Sequence, residues 1–438
     1  MNSRRSRKGT AADRGKIVAF PRATPLPPPA TPWLRWRERL RRFAPGIVTG
    51  VADVDPSLIV TATVAGAAFQ YGLLWVVVLC VPFLVATFAV AGRIGYQTRL
   101  GLVDLLREQY GFGWALACAV VLIIINMAMI IADLMAVSDA FSIILAQHRR
   151  FFVAATAFTV WYILIFRDYR KITRALLWLA LPVFVYIASA IVAAPSWREV
   201  LWHTTVPQVT QSPEYVATLV GLFGSLLTPY ILVWQTSSRR EQARIGETLN
   251  EAESHAGTFV TTALCFSIIV AAGSVLRLPR PVDMTTRQAA EALAPAVGSY
   301  GPIVFALGII GAGVVALPVL VASMCYSLSE AMGWPAGLSE HPWEAKRFYV
   351  LISAAVFVGT AANFLPINPV RALFWSQVLA GILTVPILVL LLRVGNDRRV
   401  MCRPEIQGAI NRRWQNFWIG AAAGGLIGSA LVWIWWSL

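Results

Sequence analysis

Residues 44–59 read APGIVTGVADVDPSLI. The stretch is apolar at both ends, yet its middle holds two carboxylates, Asp53 and Asp55, and a proline, Pro56. A proline inside a helix removes a backbone donor and clashes with the preceding turn. Backbone unwound at bilayer depth is tolerated only where it lines a cavity, and an ionisable residue at that depth marks a functional site by default. The meaning of the stretch therefore depends on whether it crosses a membrane.

The composition says that it does. Of 438 residues, 57% are apolar or aromatic and only 13% are charged, with a net charge of +15. Soluble domains run at roughly 45–50% apolar and about 25% charged. An ordinary soluble enzyme, a disordered chain and a repeat solenoid are excluded. A crossing takes about 20 apolar residues. We read eleven blocks of that kind: about 44–68, 72–92, 112–146, 151–166, 174–194, 215–237, 257–276, 301–329, 348–365, 370–392 and 415–436. The block 112–146 is long for one crossing and is expected to continue past the hydrocarbon at one end. The block 151–166 is short and ends in Arg167 and Asp168.

With the N-terminus inside, the great majority of the 37 Lys and Arg fall in inside segments, as the positive-inside rule requires. The basic excess is thus a topology signal and says nothing about the substrate. Eleven crossings place Trp433, Trp435 and Trp436 at the outer interface, where an aromatic belt is expected. We expect a multi-pass integral protein of a bacterial inner (cytoplasmic) membrane, in contact with lipid, with no nucleic-acid partner. Residues 1–43 are Arg-rich with a Pro-rich stretch at 21–32, and read as a disordered cytoplasmic tail. The segment 33–42 (WLRWRERLRR) mixes aromatic and basic residues, as an interfacial helix would. The rival reading is an organelle targeting peptide, also Arg-rich and acid-poor.

The five Cys have no CxxC spacing and read as small core hydrophobes. The four His all lie near loops, which leaves no His-based site in the membrane. A second interruption does occur. Residues 221–235 read GLFGSLLTPYILVWQ, with Thr228, Pro229 and Tyr230 in mid-span. The two interrupted spans are the first and the sixth. They open two five-span halves, about 44–194 and 215–392, with the block 415–436 as an addition. Paired breaks at matching positions point to a secondary transporter with inverted repeats. The remaining intramembrane polar residues are Asn126, Asp133 and Asp139 on the third span and Gln377 on the tenth. Asn126 and Asp133 are seven apart and share a helical face. Asp133 is expected to face the bundle, and Asp139 to lie at the interface.

These residues carry a resemblance. Residues 44–75 contain APG, VDPS (54–57), AGA (65–67) and YGLLW (71–75), and residues 368–378 contain NPVRAL and SQV. They are similar to the first and tenth spans of the Nramp divalent-metal transporters, and the likeness runs from about residue 44 to the end. It implies an all-α, LeuT-like 5+5 inverted repeat with eleven transmembrane helices, helices 1 and 6 broken, and a metal site between the two breaks. Carried over by motif, the site would comprise Asp55, the backbone carbonyl of Ser225, Thr228 and Gln377. The family's first-helix motif is Asp-Pro-Gly-Asn. Here it is Asp55-Pro56-Ser57-Leu58, so the Asn is lost. The sixth-helix motif is Met-Pro-His. Here it is Thr228-Pro229-Tyr230. Asp133 matches an Asp of the family's proton route, while other acids of that route appear as Asn126 and Ala136.

A thioether is soft and favours transition metals, whereas hydroxyl, carboxylate and carbonyl oxygens are hard. Replacing Met by Thr228 leaves an all-oxygen set, which suits Mg²⁺ or Mn²⁺. Asn and Ala do not shuttle protons at neutral pH. The pattern resembles the Nramp-related magnesium transporters, a branch largely uncoupled from protons. A branch handling aluminium, also hard, is compatible with the same swaps. The expected function is import of Mg²⁺ and/or Mn²⁺ by alternating access, weakly or not proton-coupled, with the cation as substrate and no cofactor. Asp53 is placed on the cavity wall or the solvated access path, Ser57 and Leu58 at the first break, and Tyr230 and Gln235 along the inner exit. The alternatives are a proton-coupled Mn²⁺/Fe²⁺ importer and an organic-solute carrier on the same architecture. No nucleophile or metal signature supports an enzyme.

Overall fold

The computed structural model describes residues 53–166, 181–244, 251–278, 280–338, 341–402 and 410–437. The tail assigned to residues 1–43 and the first part of the opening block lie outside them. Helices form wherever the apolar blocks are described, and no strand occurs among the described residues. In chain order they are α1 (Pro56–Phe69), α2 (Leu74–Thr98), α3 (Leu102–Tyr110), α4 (Phe112–Leu145), α5 (Arg150–Phe166), α6 (Val185–Val192) and α7 (Trp197–Thr205). Next come α8 (Pro213–Leu226), α9 (Pro229–Arg244), α10 (Glu251–Val275), α11 (Gly301–Met332), α12 (Lys346–Ala362), α13 (Pro369–Asn396) and α14 (Arg413–Ser437).

Seven spans among the described residues are long and apolar enough to cross a membrane, with α8 and α9 counted as one span broken in the middle. The 34 residues of α4 rise about 51 Å at 1.5 Å each, well past a hydrocarbon core of about 30 Å. This is the overrun expected for that block. The helices α5 and α12, with 17 residues each, sit at the short end of what can cross. The block 174–194 departs from a simple crossing. Its described part, 181–192, turns by 111° into α7 across a short break.

Local chemistry sets several helix starts. Three of them pair a polar N-cap with proline at the first helical position, where the missing N–H costs nothing. Asp55 caps α1, Ser212 caps α8 and Asn368 caps α13. The long α11 is buried along most of its length and packs chiefly on α4. Two other contacts are close because glycine allows them. A Cβ on Gly66 of α1 would stand 2.6 Å from the Ile269 carbonyl oxygen on α10, and one on Gly224 of α8 would stand 2.0 Å from the Gln377 carbonyl oxygen on α13. Small residues that let backbones approach are how helices associate without a hydrophobic driving force between them. The last helix, α14, packs on α2, α8 and α13 and leaves Trp435 largely exposed, which fits an addition at the periphery.

Candidate cation site

The two interruptions meet. At the first, Asp55 is extended (φ −82°, ψ 167°) and caps α1, with its Oδ1 accepting from the Leu58 N–H at 2.6 Å. At the second, α8 stops at Leu226 and α9 restarts at Pro229, so Leu227 and Thr228 are not helical. The Tyr230 hydroxyl donates to the second Asp55 oxygen at 3.3 Å, which joins the two breaks. Gly221 of α8 lets the helices that flank the breaks approach: a Cβ there would touch Thr61 of α1 and Val378 of α13.

The end of α8 supplies free carbonyl oxygen for a covalent reason. The residue that would donate to the Ser225 carbonyl is four positions on, and it is Pro229, which has no N–H. The Ser225 hydroxyl turns back to the Leu222 carbonyl at 2.9 Å, so the backbone oxygen is what Ser225 offers. The C-terminal end of a helix also carries partial negative charge, which favours a cation there.

Two other side chains implied by the motifs are buried without partners among the described residues. Thr228 is buried, and its hydroxyl has no partner among the described residues. Gln377 is fully buried, and neither its amide oxygen nor its nitrogen has one. Buried polar groups are nearly always paired, so two unpaired ones near the breaks are candidates to hold a ligand. The close contact at Gly224 sets the backbone of Gln377 against the last turn of α8, beside Ser225. The donor types are one carboxylate, one carbonyl, one hydroxyl and one amide, all oxygen. Among the described residues, no three His, Cys, Asp or Glu side chains group as a metal cluster. A site with one carboxylate suits an ion that keeps part of its water.

Ser57, the second residue of α1, donates to Asp133 Oδ1 on α4 at 2.7 Å, and Asp133 Oδ2 has no partner among the described residues. Asn126 donates to Ser323 on α11 at 3.1 Å and leaves its Oδ1 unpaired among them. Both face the bundle, as the shared face requires. Leu58 is fully buried.

Three placements sharpen or differ from expectation. Of the two places open to Asp53, the solvated access path is excluded and a buried wall position remains: it is 9% exposed and accepts from Thr261 of α10 at 3.2 Å. Tyr230 stands at the site itself, bound to Asp55, rather than along an exit, while Gln235 is buried further along α9. Asp139 is half-buried and accepts from Thr286, so the segment 281–300 folds back as short helical turns against α4.

One cluster was not foreseen. Arg240 of α9 pairs with Asp104 of α3 at 3.1 Å and with Glu330 of α11 at 3.3 Å. Glu330 also accepts from the Val103 N–H at 3.2 Å and from Ser237 at 3.4 Å. On α3, a connecting helix outside the spans, burial raises the Asp104 carboxyl above its ordinary range, and the Arg240 charge works against that rise. The signal was present in sequence as a Glu at the end of an apolar span. The expected block ends at 329, one residue short of it.

Comparison with known proteins agrees with this architecture. The model of the Nramp family, described as natural resistance-associated macrophage protein-like, matches residues 46–436. The divalent metal cation transporter MntH of Acidiphilium cryptum is 26% identical over 381 residues, covering 81% of this chain and 82% of that protein. A crystal structure of the Eremococcus coleocola manganese transporter superposes with a TM-score of 0.69 at 18% identity, over 91% of this chain and 87% of that one. MhsT, solved in complex with L-phenylalanine, shares the fold more distantly, with a TM-score of 0.53 at 14% identity, over 91% of this chain and 98% of that one.

Proposed function

The chain belongs to the Nramp family, and from that membership together with its oxygen-only candidate site we propose that it transports divalent metal cations inward by alternating access, Mg²⁺ first and Mn²⁺ second. The observation that carries the reading is Thr228: a buried hydroxyl stands where the family motif has a thioether. Asp55 supplies the negative charge. The Ser225 carbonyl at the end of α8 adds a fixed dipole oxygen, and Thr228 and Gln377 complete an oxygen shell directly or through water. Tyr230 holds one carboxylate oxygen of Asp55 while the site is closed, and gives up that bond as an ion takes the oxygen. Access changes as one repeat rocks against the other around the two breaks.

Weak proton coupling is part of the same reading. Asn126 and Ala136 hold no titrating proton, so the route along α4 keeps only Asp133. A second reading, a proton-coupled Mn²⁺/Fe²⁺ importer, is favoured by one observation: Asp133 is retained and held by Ser57, two residues from Asp55. Uptake into proteoliposomes separates the two. The first reading expects Mg²⁺ and Mn²⁺ to enter and an acidic exterior to leave the initial rate within about twofold. A steep acceleration by external acid, with Mg²⁺ excluded, would establish the second.

A further inference from the structure

A cavity of about 500 Å³ lies away from the cation site, between the start of α4 and the last turns of α13. It falls within the roughly 300–1,000 Å³ range of built ligand pockets. Leu106 and Tyr110 of α3 contribute to its wall, with Trp114 and Cys118 of α4 and Leu390 of α13. Pro386 lines it too. That proline has no N–H for the Ile382 carbonyl, the usual cause of a bend that parts two packed helices. Among the lining residues one is charged, Arg393, and its side chain is exposed. Arg398 and Arg399 follow within two turns, and the intervening Asp397 is taken up by capping the Arg399 N–H at 2.8 Å.

An apolar slot ending in a cation matches an amphiphile with an anionic head. Its level in the bilayer fits as well. The charge distribution places the start of α4 and the end of α13 on the cytoplasmic side, and Tyr110 and Trp114, 37% and 69% exposed, are the residue types that settle at headgroup depth. Basic pockets between spans on that side are known to take anionic lipid heads. We propose that this groove is a binding site for one anionic glycerophospholipid of the inner leaflet, with its phosphate on Arg393 and an acyl chain along Leu390 and Cys118. The site joins α4, which carries Asp133, to α13, which carries Gln377, and it does not depend on which cation is moved.

The test is native mass spectrometry of the full-length protein in detergent, with phosphatidylglycerol and phosphatidylcholine of matched chains added in turn. The parent should retain one phosphatidylglycerol at a concentration about tenfold below that needed for phosphatidylcholine. Arg393→Gln should remove this preference, and Arg393→Lys should keep most of it. Ala117→Phe, which fills the groove and leaves Arg393 in place, should abolish retention of both lipids. Phosphatidylglycerol should also protect Cys118 from a maleimide in the parent. Equal retention of the two lipids, or an unchanged preference in Arg393→Gln, would overturn the proposal. So would a dimer that Ala117→Phe dissociates, which would assign the groove to a second copy of the chain.

Discussion

Asp55 has a structural task as a helix cap and, on the proposed function, a chemical one, and single substitutions separate them. Its Oδ1 caps α1 and its charge faces the break. Asn caps as well as Asp, whereas Ala at an N-cap costs about 0.5–2 kcal/mol. Asp55→Asn is therefore expected to fold and melt like the parent and to lose cation uptake. Asp55→Ala should lose uptake and melt lower. Parent-level uptake by Asp55→Asn would remove the carboxylate from the site. Asp55, Thr228, Asn126, Asp133 and Gln377 stood out in sequence because each is polar or charged inside an apolar block, while the grouping of Asp55, Ser225, Thr228 and Gln377 as a candidate site came from the family motifs. Their pairings did not stand out. Ser57 and Asp133 are 76 residues apart, and Tyr230 and Asp55 are 175 apart, and neither spacing has a local signature. The place of Asp53 was left open between two readings for the same reason, since its partner, Thr261, lies on α10.

The gap between α8 and α9 exists because Pro229 withholds an N–H from the Ser225 carbonyl. Pro229→Ala restores that donor and relieves the clash with the preceding turn. It should make the span more continuous, raise the melting temperature, and lower uptake at least tenfold as the Ser225 oxygen is consumed by a helical bond. Uptake at the parent rate would show that this carbonyl is not required. The contact between α8 and α13 is equally specific. Gly224→Ala places a methyl group 2.0 Å from the Gln377 carbonyl oxygen, an overpacking that typically costs about 1–3 kcal/mol. A lower melting point with weaker apparent cation affinity is expected, and an unchanged affinity in a folded variant would separate Gln377 from the site. Proline made both interruptions readable from sequence. The turns of 281–300 and the 111° bend before α7 were not readable, since neither has the periodicity or length that marks a span.

Across the molecule, Arg240 ties α9 to α3 and α11 through Asp104 and Glu330, away from the cation site. Removing one partner of a buried ion pair typically costs about 3–5 kcal/mol, because the other charge is left behind. Arg240→Met should be strongly destabilising, and Arg240→Met with Glu330→Leu should recover part of the loss, as melting curves in detergent would show. Losses that simply add would mean the pair is not coupled. The pairing itself was not read from sequence, since Arg240 read as a topology charge and Glu330, the one signal, lay one residue past the expected apolar block. Of the eleven expected crossings, seven stand as long apolar spans among the described residues, and these were legible from composition, down to the overrun of α4. On the proposed function, selectivity is the property that these parts produce together, and Thr228 is where it is concentrated. The decisive measurement is Mn²⁺ uptake into proteoliposomes with Mg²⁺ as competitor, for the parent and for Thr228→Met. An all-oxygen site predicts that Mg²⁺ inhibits the parent at concentrations comparable to its own transport, and that the added thioether weakens this inhibition at least tenfold while Mn²⁺ uptake persists. A parent indifferent to Mg²⁺, or a Thr228→Met variant inhibited just as strongly, would contradict it.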